Sequence, residues 1–290
     1  MLDAEPVAAG PARGVTGVHP ADPAGRAALH LPVHGLQAVG GLVHLSTVGP
    51  LHARPGDLED PVAHPLRGVS ELTVLLAGHL EHRDSLGNRG RLDAPAARLV
   101  AGGGGLLTEV GPSRDLRRDG GDLQVVTLRW LAAAGATVPT TRLATDPPVR
   151  AQGRSTITRW LGPDASLPTP DGLTVRLVRI AAGSSVDLDV GTTDDVLVAV
   201  IGGTVLTGAD LQPVTAPASA VLPAGEARLQ LATHLEGERA AVVVVVTAPA
   251  LAGEVVHRDG LLAAASDQQL DEVLQQARSG AFGSLPGLDG

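Results

Sequence analysis

"ELTVLLAGHLEHRDSLGNRG", Glu71 to Gly90, reads as a strand, a glycine turn, a second strand and a tighter turn. Glu71–Ala77 is an apolar run that Gly78 ends. His79–Arg83 resumes it, and Asp84, Ser85, Gly87 and Asn88 are turn formers. A second stretch repeats the plan: "DVLVAVIGGTVLTG", Asp195 to Gly208. Each is followed by Ala-Pro-Ala and a third apolar stretch, in "DAPAARLVAGG" from Asp93 and in "TAPASAVLPAG" from Thr215. Gly78 lies 17 residues before Pro95, and Gly202 lies 15 before Pro217. That spacing predicts a duplicated all-β unit with Gly78 and Gly202 at equivalent turns.

Composition points the same way. The 290 residues suffice for two domains with sizeable cores. With 37 Gly and 22 Pro, helix breakers are too dense for a bundle and suit many short strands. "DVLVAVI" and "AVVVVVTA" (Ala241 to Ala248) suit strands buried on both faces. "VPTTRLATDPPVRAQGRS", Val138 to Ser155, reads as a linker between the halves. The end differs: in "SDQQLDEVLQQARSGAFG", Leu270, Val273, Leu274 and Ala277 share one helical face. Ser266 with Gln269 forms a capping box and Gly280 is the stop.

Several function classes are disfavoured at once. A formal charge of -9 argues against nucleic acid or an anionic membrane as partner. Trp130, Trp160 and Phe282 are the whole aromatic complement, too few for base stacking. The absence of Cys removes disulfides, thiolate catalysis and Cys-bound zinc. The start, "MLDAEPVAAGPARG", lacks a basic region followed by an apolar one, so no signal peptide is expected. No apolar run is long enough for a membrane-spanning helix, and a soluble cytoplasmic protein is the default.

"EHRDSLGNRG" (Glu81 to Gly90), preceded by "HPLRG" and "LTVLLAG", resembles the signature of the pirin family of bicupins. The likeness continues in "LVAGGGGLLTEV" (Leu99 to Val110), in "GDLQVVTLRWLAA" (Gly121 to Ala133) and in the tail "LDEVLQQARSGAFG". The resemblance implies an all-β fold of two cupin barrels with a C-terminal helix. The expected division is 1–140 for the N-terminal cupin and 141–290 for the C-terminal cupin, linker and helix. It also implies one iron-like metal in the N-terminal cupin, held by three His and one Glu. Two of those His come from a His-Pro-His-Arg-Gly segment, and the third His and the Glu from a Gly-x-x-His-Ser-Glu segment. Such a set suits Fe(II) or a similar ion with open positions.

Carried over residue by residue, the set is half missing. His64 holds the first position and Leu66 the second; Leu107 falls on the third His, and Glu109 retains the Glu. The expectation is therefore a degenerate site, His64, Leu66, Leu107 and Glu109, with no metal and no cofactor. His79 and His82 lie on opposite faces of a strand, and a site rebuilt from either is a minor alternative. His64 is expected to hydrogen-bond Glu109, and metal-free acid/base work by that pair is a second reading. "VAGGGGLL" lacks the lysine of a phosphate loop and reads as a turn needing glycine dihedrals. "SRDLRRDGGD" (Ser113 to Asp122) reads as a solvated loop, and "EHRDSLGNRG" as a hairpin turn in which Arg83 and Arg89 pair with Asp84 or with carbonyls. The function expected is regulatory binding of a small molecule or a protein partner. Family members acting as quercetin-type dioxygenases supply the enzymatic alternative, which needs the metal.

Overall fold

The computed structural model of the chain describes residues 11–132, 138–169, 171–234, 240–250 and 255–287. Residues 1–10, most of the stretch examined for a signal peptide, lie outside them. Two compact units form, and each is built from two separated stretches of the chain. Leu42–Asp146 joins Ala252–Gly290 in what we call the N-terminal barrel. Met1–Gly41 joins Pro147–Leu251 in the C-terminal barrel. This differs from one cut between residues 140 and 141. The apolar pattern locates elements, but it does not say which barrel a terminal segment will cover.

Both units are pairs of antiparallel sheets with one strand order. In the N-terminal barrel, Thr140–Ala144, Ala96–Ala101, Val69–Ala77, Gly121–Leu131 and Leu42–Ala53 run side by side. The facing sheet runs His64–Leu66, Leu106–Pro112, His79–Asp84, Arg89–Asp93. In the C-terminal barrel the matching orders are Gly17–Pro20, Ala218–Leu222, Asp195–Gly202, Ala241–Ala248, Thr174–Ile180 and Ser185–Asp189, Arg228–Ala232, Thr204–Thr207, Gln212–Thr215. The duplication read from the sequence is thus present, with one correction. The partner of Gly78 is Gly203, not Gly202. Ala94 N–H donates to the Gly78 carbonyl at 3.1 Å and Ala216 N–H to that of Gly203 at 3.0 Å. Both glycines have positive φ, +87 and +74, and a Cβ on either would strike a carbonyl oxygen, of Asp122 and Ala240 respectively.

The region read as a linker is largely strand. Thr140–Ala144 pairs with Ala96–Ala101 at one sheet edge, and Val149–Gln152 pairs with Ser155–Leu161 at another. Thr, Arg and nearby Pro are tolerated there because an edge strand has one solvated side. "SRDLRRDGGD" likewise contains a short helix, Arg114–Asp119, capped by Ser113, whose hydroxyl accepts from Leu116 N–H. No helix among the described residues is long and apolar enough to cross a membrane.

The closing helix is Asp267–Arg278. Ser266 caps it by accepting from Gln269 N–H, and the Gln269 side chain accepts from Ala265 N–H. Leu270 and Val273 are buried with Leu262 and Phe282, whereas Leu274 and Ala277 are only partly covered. Val273→Asp should therefore lower stability by about 3 kcal/mol or more, because an unpaired charge would enter an apolar contact. The check is a urea midpoint; an unchanged one would mean that this face is not a structural contact.

Candidate functional site

The two cores differ in chemistry. That of the C-terminal barrel is aliphatic, built from residues such as Ile157, Val178, Val198, Val243 and Val245. That of the N-terminal barrel is layered. Along Val69–Ala77 the inward side chains are Val69, Glu71, Thr73 and Leu75; opposite them on Gly121–Leu131 stand Leu131, Arg129, Thr127 and Val125. On Ala96–Ala101 the order is Val100, Arg98, Ala96. Val69, Leu131 and Val100 belong to one apolar cluster with Leu66 and Leu106. Leu75, Val125 and Ala96 belong to another with Leu80 and Leu92. A polar layer lies between them.

Two ionic assemblies make up that layer. In the first, Glu71 Oε2 receives Arg129 Nε at 2.7 Å and lies 3.1 Å from His64 Nε2. Glu71 is 1% exposed. Burial alone would raise its pKa, but His64 and Arg129 outweigh this and hold the carboxyl below the usual carboxylate range. In the second, Asp84 accepts from Leu86 N–H (3.0 Å), Asn88 N–H (3.1 Å), the Asn88 amide and the Thr141 hydroxyl (2.7 Å). Arg98 reaches Asp84 at 3.4 Å and the Thr108 hydroxyl at 2.8 Å, with neither ionic partner exposed. Burial works to raise the Asp84 pKa, yet the hydrogen bonds from Thr141, Asn88 and Leu86 hold it low. Asp84 thus closes the turn of "EHRDSLGNRG" and anchors it inside the barrel. The hairpin reading of that motif stands, with Arg98 rather than Arg83 or Arg89 as the partner of Asp84.

The positions carried over from the sequence do not converge. Leu106 stands opposite Leu66, Leu107 opposite Pro65, Thr108 opposite His64 and Glu109 opposite Arg83. Directly opposed residues share a face, so His64 and Leu66 look inward with Leu106 and Thr108, while Leu107 and Glu109 look outward. The expected His64–Glu109 hydrogen bond is absent: His64 pairs with Glu71, and Glu109 is held by Arg83 through two bonds of 2.9 and 3.0 Å. His64 and Glu109 are thus not placed as an acid/base pair. A slip of one residue reverses every side chain of a strand, and the glycine run 102–105 gives no hint of which register applies.

That run has a structural task. Gly105 has φ +124, and a Cβ there would meet the Phe282 ring at 2.3 Å. The tail also receives Arg83, whose Nη1 donates to the Pro286 carbonyl at 2.9 Å. Outside the sheet, Glu81, Arg83, Glu109, Arg117, Asp60 and Pro61 border a cavity of about 400 Å³. Arg117 pairs with Asp60 at 3.0 Å, so paired charges line much of it.

A divalent metal does not fit these residues as they stand. Leu66, Leu106 and Thr108 are the inward neighbours of His64, and none is an imidazole or carboxylate. His64 and Glu71 are already committed to an ionic chain, and His44 hydrogen-bonds Ser46 at 2.9 Å. His79 faces outward onto Ser113, and His82 faces inward with neither ring nitrogen partnered among the described residues. Among the described residues, no three His, Asp or Glu side chains are arranged to hold an ion. Sequence reasoning missed Glu71, Arg98 and Arg129. Their signal is a single charge at an inward position of an apolar run, in "SELTVLL", "AARLV" and "VVTLRWL".

The sequence model of the Pirin family matches residues 25–127. The chain carries a Pirin domain over this stretch. The protein named "Putative quercetin 2,3-dioxygenase PA2418" of Pseudomonas aeruginosa is 25% identical to this chain over 252 residues, covering 82% of this chain and 85% of that one. Among solved structures, a quercetin 2,3-dioxygenase from Acinetobacter baumannii superposes with a TM-score of 0.83 at 19% identity, covering 94% of this chain and 99% of the other. The bacterial pirin YhhW of Escherichia coli, solved in complex with nickel(II), gives 0.60 at 15% identity, covering 83% and 99%. These likenesses fix the fold as that of tandem cupins with a C-terminal helix.

Proposed function

We propose that this chain is a pirin that acts by binding a small molecule or a protein segment in a regulatory role, and that its N-terminal barrel is a degenerate, metal-free version of the family's site. The observation that carries the reading is the polar layer. The one retained imidazole, His64, is bound to Glu71, its inward neighbours are Leu66 and Leu106, and the retained Glu109 faces away under Arg83. An ion placed beside the leucines would lose hydration without gaining ligands. The cavity behind Glu109, with its mixed charges, offers a polar surface suited to such a ligand.

The names of the relatives favour a second reading, quercetin 2,3-dioxygenase activity. Oxygen uptake with quercetin separates the two, using protein supplied in turn with Fe(II), Ni(II), Co(II) and Mn(II). We expect no uptake above that of the free metal. Metal-dependent turnover that His64→Ala abolishes would put the dioxygenase first.

The register carries a further expectation. Leu66→His with Leu107→His should bind Ni(II) no better than Leu66→His alone, because position 107 looks out of the barrel. A marked gain from the second imidazole, read by calorimetric titration, would contradict this assignment of faces.

A further inference from the structure

Arg129 stands at the centre of a row. On the inner face, His44 is directly opposite Arg129 on one side, and Glu71 is directly opposite it on the other. His64 enters from the facing sheet onto the same Glu71 oxygen that Arg129 holds. Around one guanidinium, then, are two imidazoles and a carboxylate. The second Glu71 oxygen, Oε1, is buried and has no partner among the described residues. We infer that Arg129 is a built-in cation occupying a latent divalent-metal site made of His44, His64 and Glu71, and that its charge is what keeps metal out.

The charges support this. Arg98 and Arg129 face Asp84 and Glu71, so the layer is balanced without any ion. A dication added to it would bring an uncompensated charge of two into a low-dielectric interior. With Arg129 removed, the same layer carries one net negative charge, and Glu71 is released along with His64. Two imidazoles and one carboxylate form a donor set suited to Fe(II)-like ions. His44 must turn from Ser46 to join, which takes a side-chain rotation and no change of strand. The set differs from the positions that the family resemblance supplies, since it shares with them His64 alone.

The test is Co(II) titration of the full chain, followed by its visible absorption and by calorimetry. Arg129→Met should take up one Co(II) per chain with a dissociation constant at least a hundredfold below that of the wild type. Glu71→Gln added to that variant should abolish the uptake. Arg129→Gln, which keeps a hydrogen-bonding group and loses the charge, carries the same test if the Met variant does not fold. Equal Co(II) uptake by the wild type would overturn the inference, as would no uptake by a cooperatively folding charge-free variant. The second of these outcomes leaves the metal-free reading of the wild type intact, so the two are separable.

Discussion

Asp84→Ala should destabilise the N-terminal barrel by about 3–5 kcal/mol, the cost of leaving a buried charge without its partner. Arg98 is that charge: it is 1% exposed, and its Nε and Nη1 already lack partners among the described residues. Removing Asp84 would leave it only the Thr108 hydroxyl. The same substitution frees Leu86 N–H, Asn88 N–H and the Thr141 hydroxyl, so the turn and the edge strand Thr140–Ala144 would lose their tie to the interior. Asp84→Asn keeps the shape and some of the bonds, and should recover part of the loss. Chemical denaturation of the three proteins checks this. A loss below about 1 kcal/mol, the range of an exposed pair, would mean that the Asp84 network is not structural.

Glu71→Ala is the second large expectation, also about 3–5 kcal/mol, because Arg129 would be left without its carboxylate. It carries a pH signature. The folded carboxyl of Glu71 lies below its unfolded value of about 4.3, so its stabilisation is whole above that pH and drains away as the pH falls through and below it. The histidines act over a higher window. Burial, reinforced by Arg129, lowers His44 to about 4; burial, reinforced by Arg98, lowers His82 to about 4. Between their unfolded value of about 6.5 and that point, the unfolded chain binds protons that the native barrel refuses, so stability falls as pH is lowered. Melting temperatures of wild type should decline from about pH 6.5 downward, and go on declining below about pH 4.5, where Glu71 takes over from the histidines. In Glu71→Ala the decline below about pH 4.5 should shrink. Parallel curves for the two proteins would show that Glu71 does not titrate as described.

The fold was legible because it rests on local signals. The strand–Gly–strand–Ala-Pro-Ala plan gave the duplication, and "EHRDSLGNRG" gave the likeness to pirins. Ser266 and Gln269 gave the start of the closing helix. Long-range pairing was less visible. Val138–Ser155 looked like a linker because edge strands tolerate the polar and Pro-rich residues of linkers. The site was legible in part: His64 and Leu66 do face the barrel interior, and Leu66 does make its wall apolar. Leu107 and Glu109 were placed on the wrong face because two-residue periodicity fixes relative orientation along one strand, but the register between strands decides which face is inside. Glu71, Arg98 and Arg129 were overlooked because a charged residue in a strand is ordinarily a solvated one. Their burial follows from mutual pairing across sheets, which no single segment displays.

The most direct test of the account is the metal content of wild-type protein, purified without chelator or metal-affinity resin and measured by elemental analysis, with its melting temperature taken before and after EDTA. We predict no stoichiometric metal and no shift on chelation, because Arg129 and Arg98 already supply the positive charge of the barrel. One tightly held metal per chain, lost together with stability on chelation and absent from His64→Ala, would contradict the account.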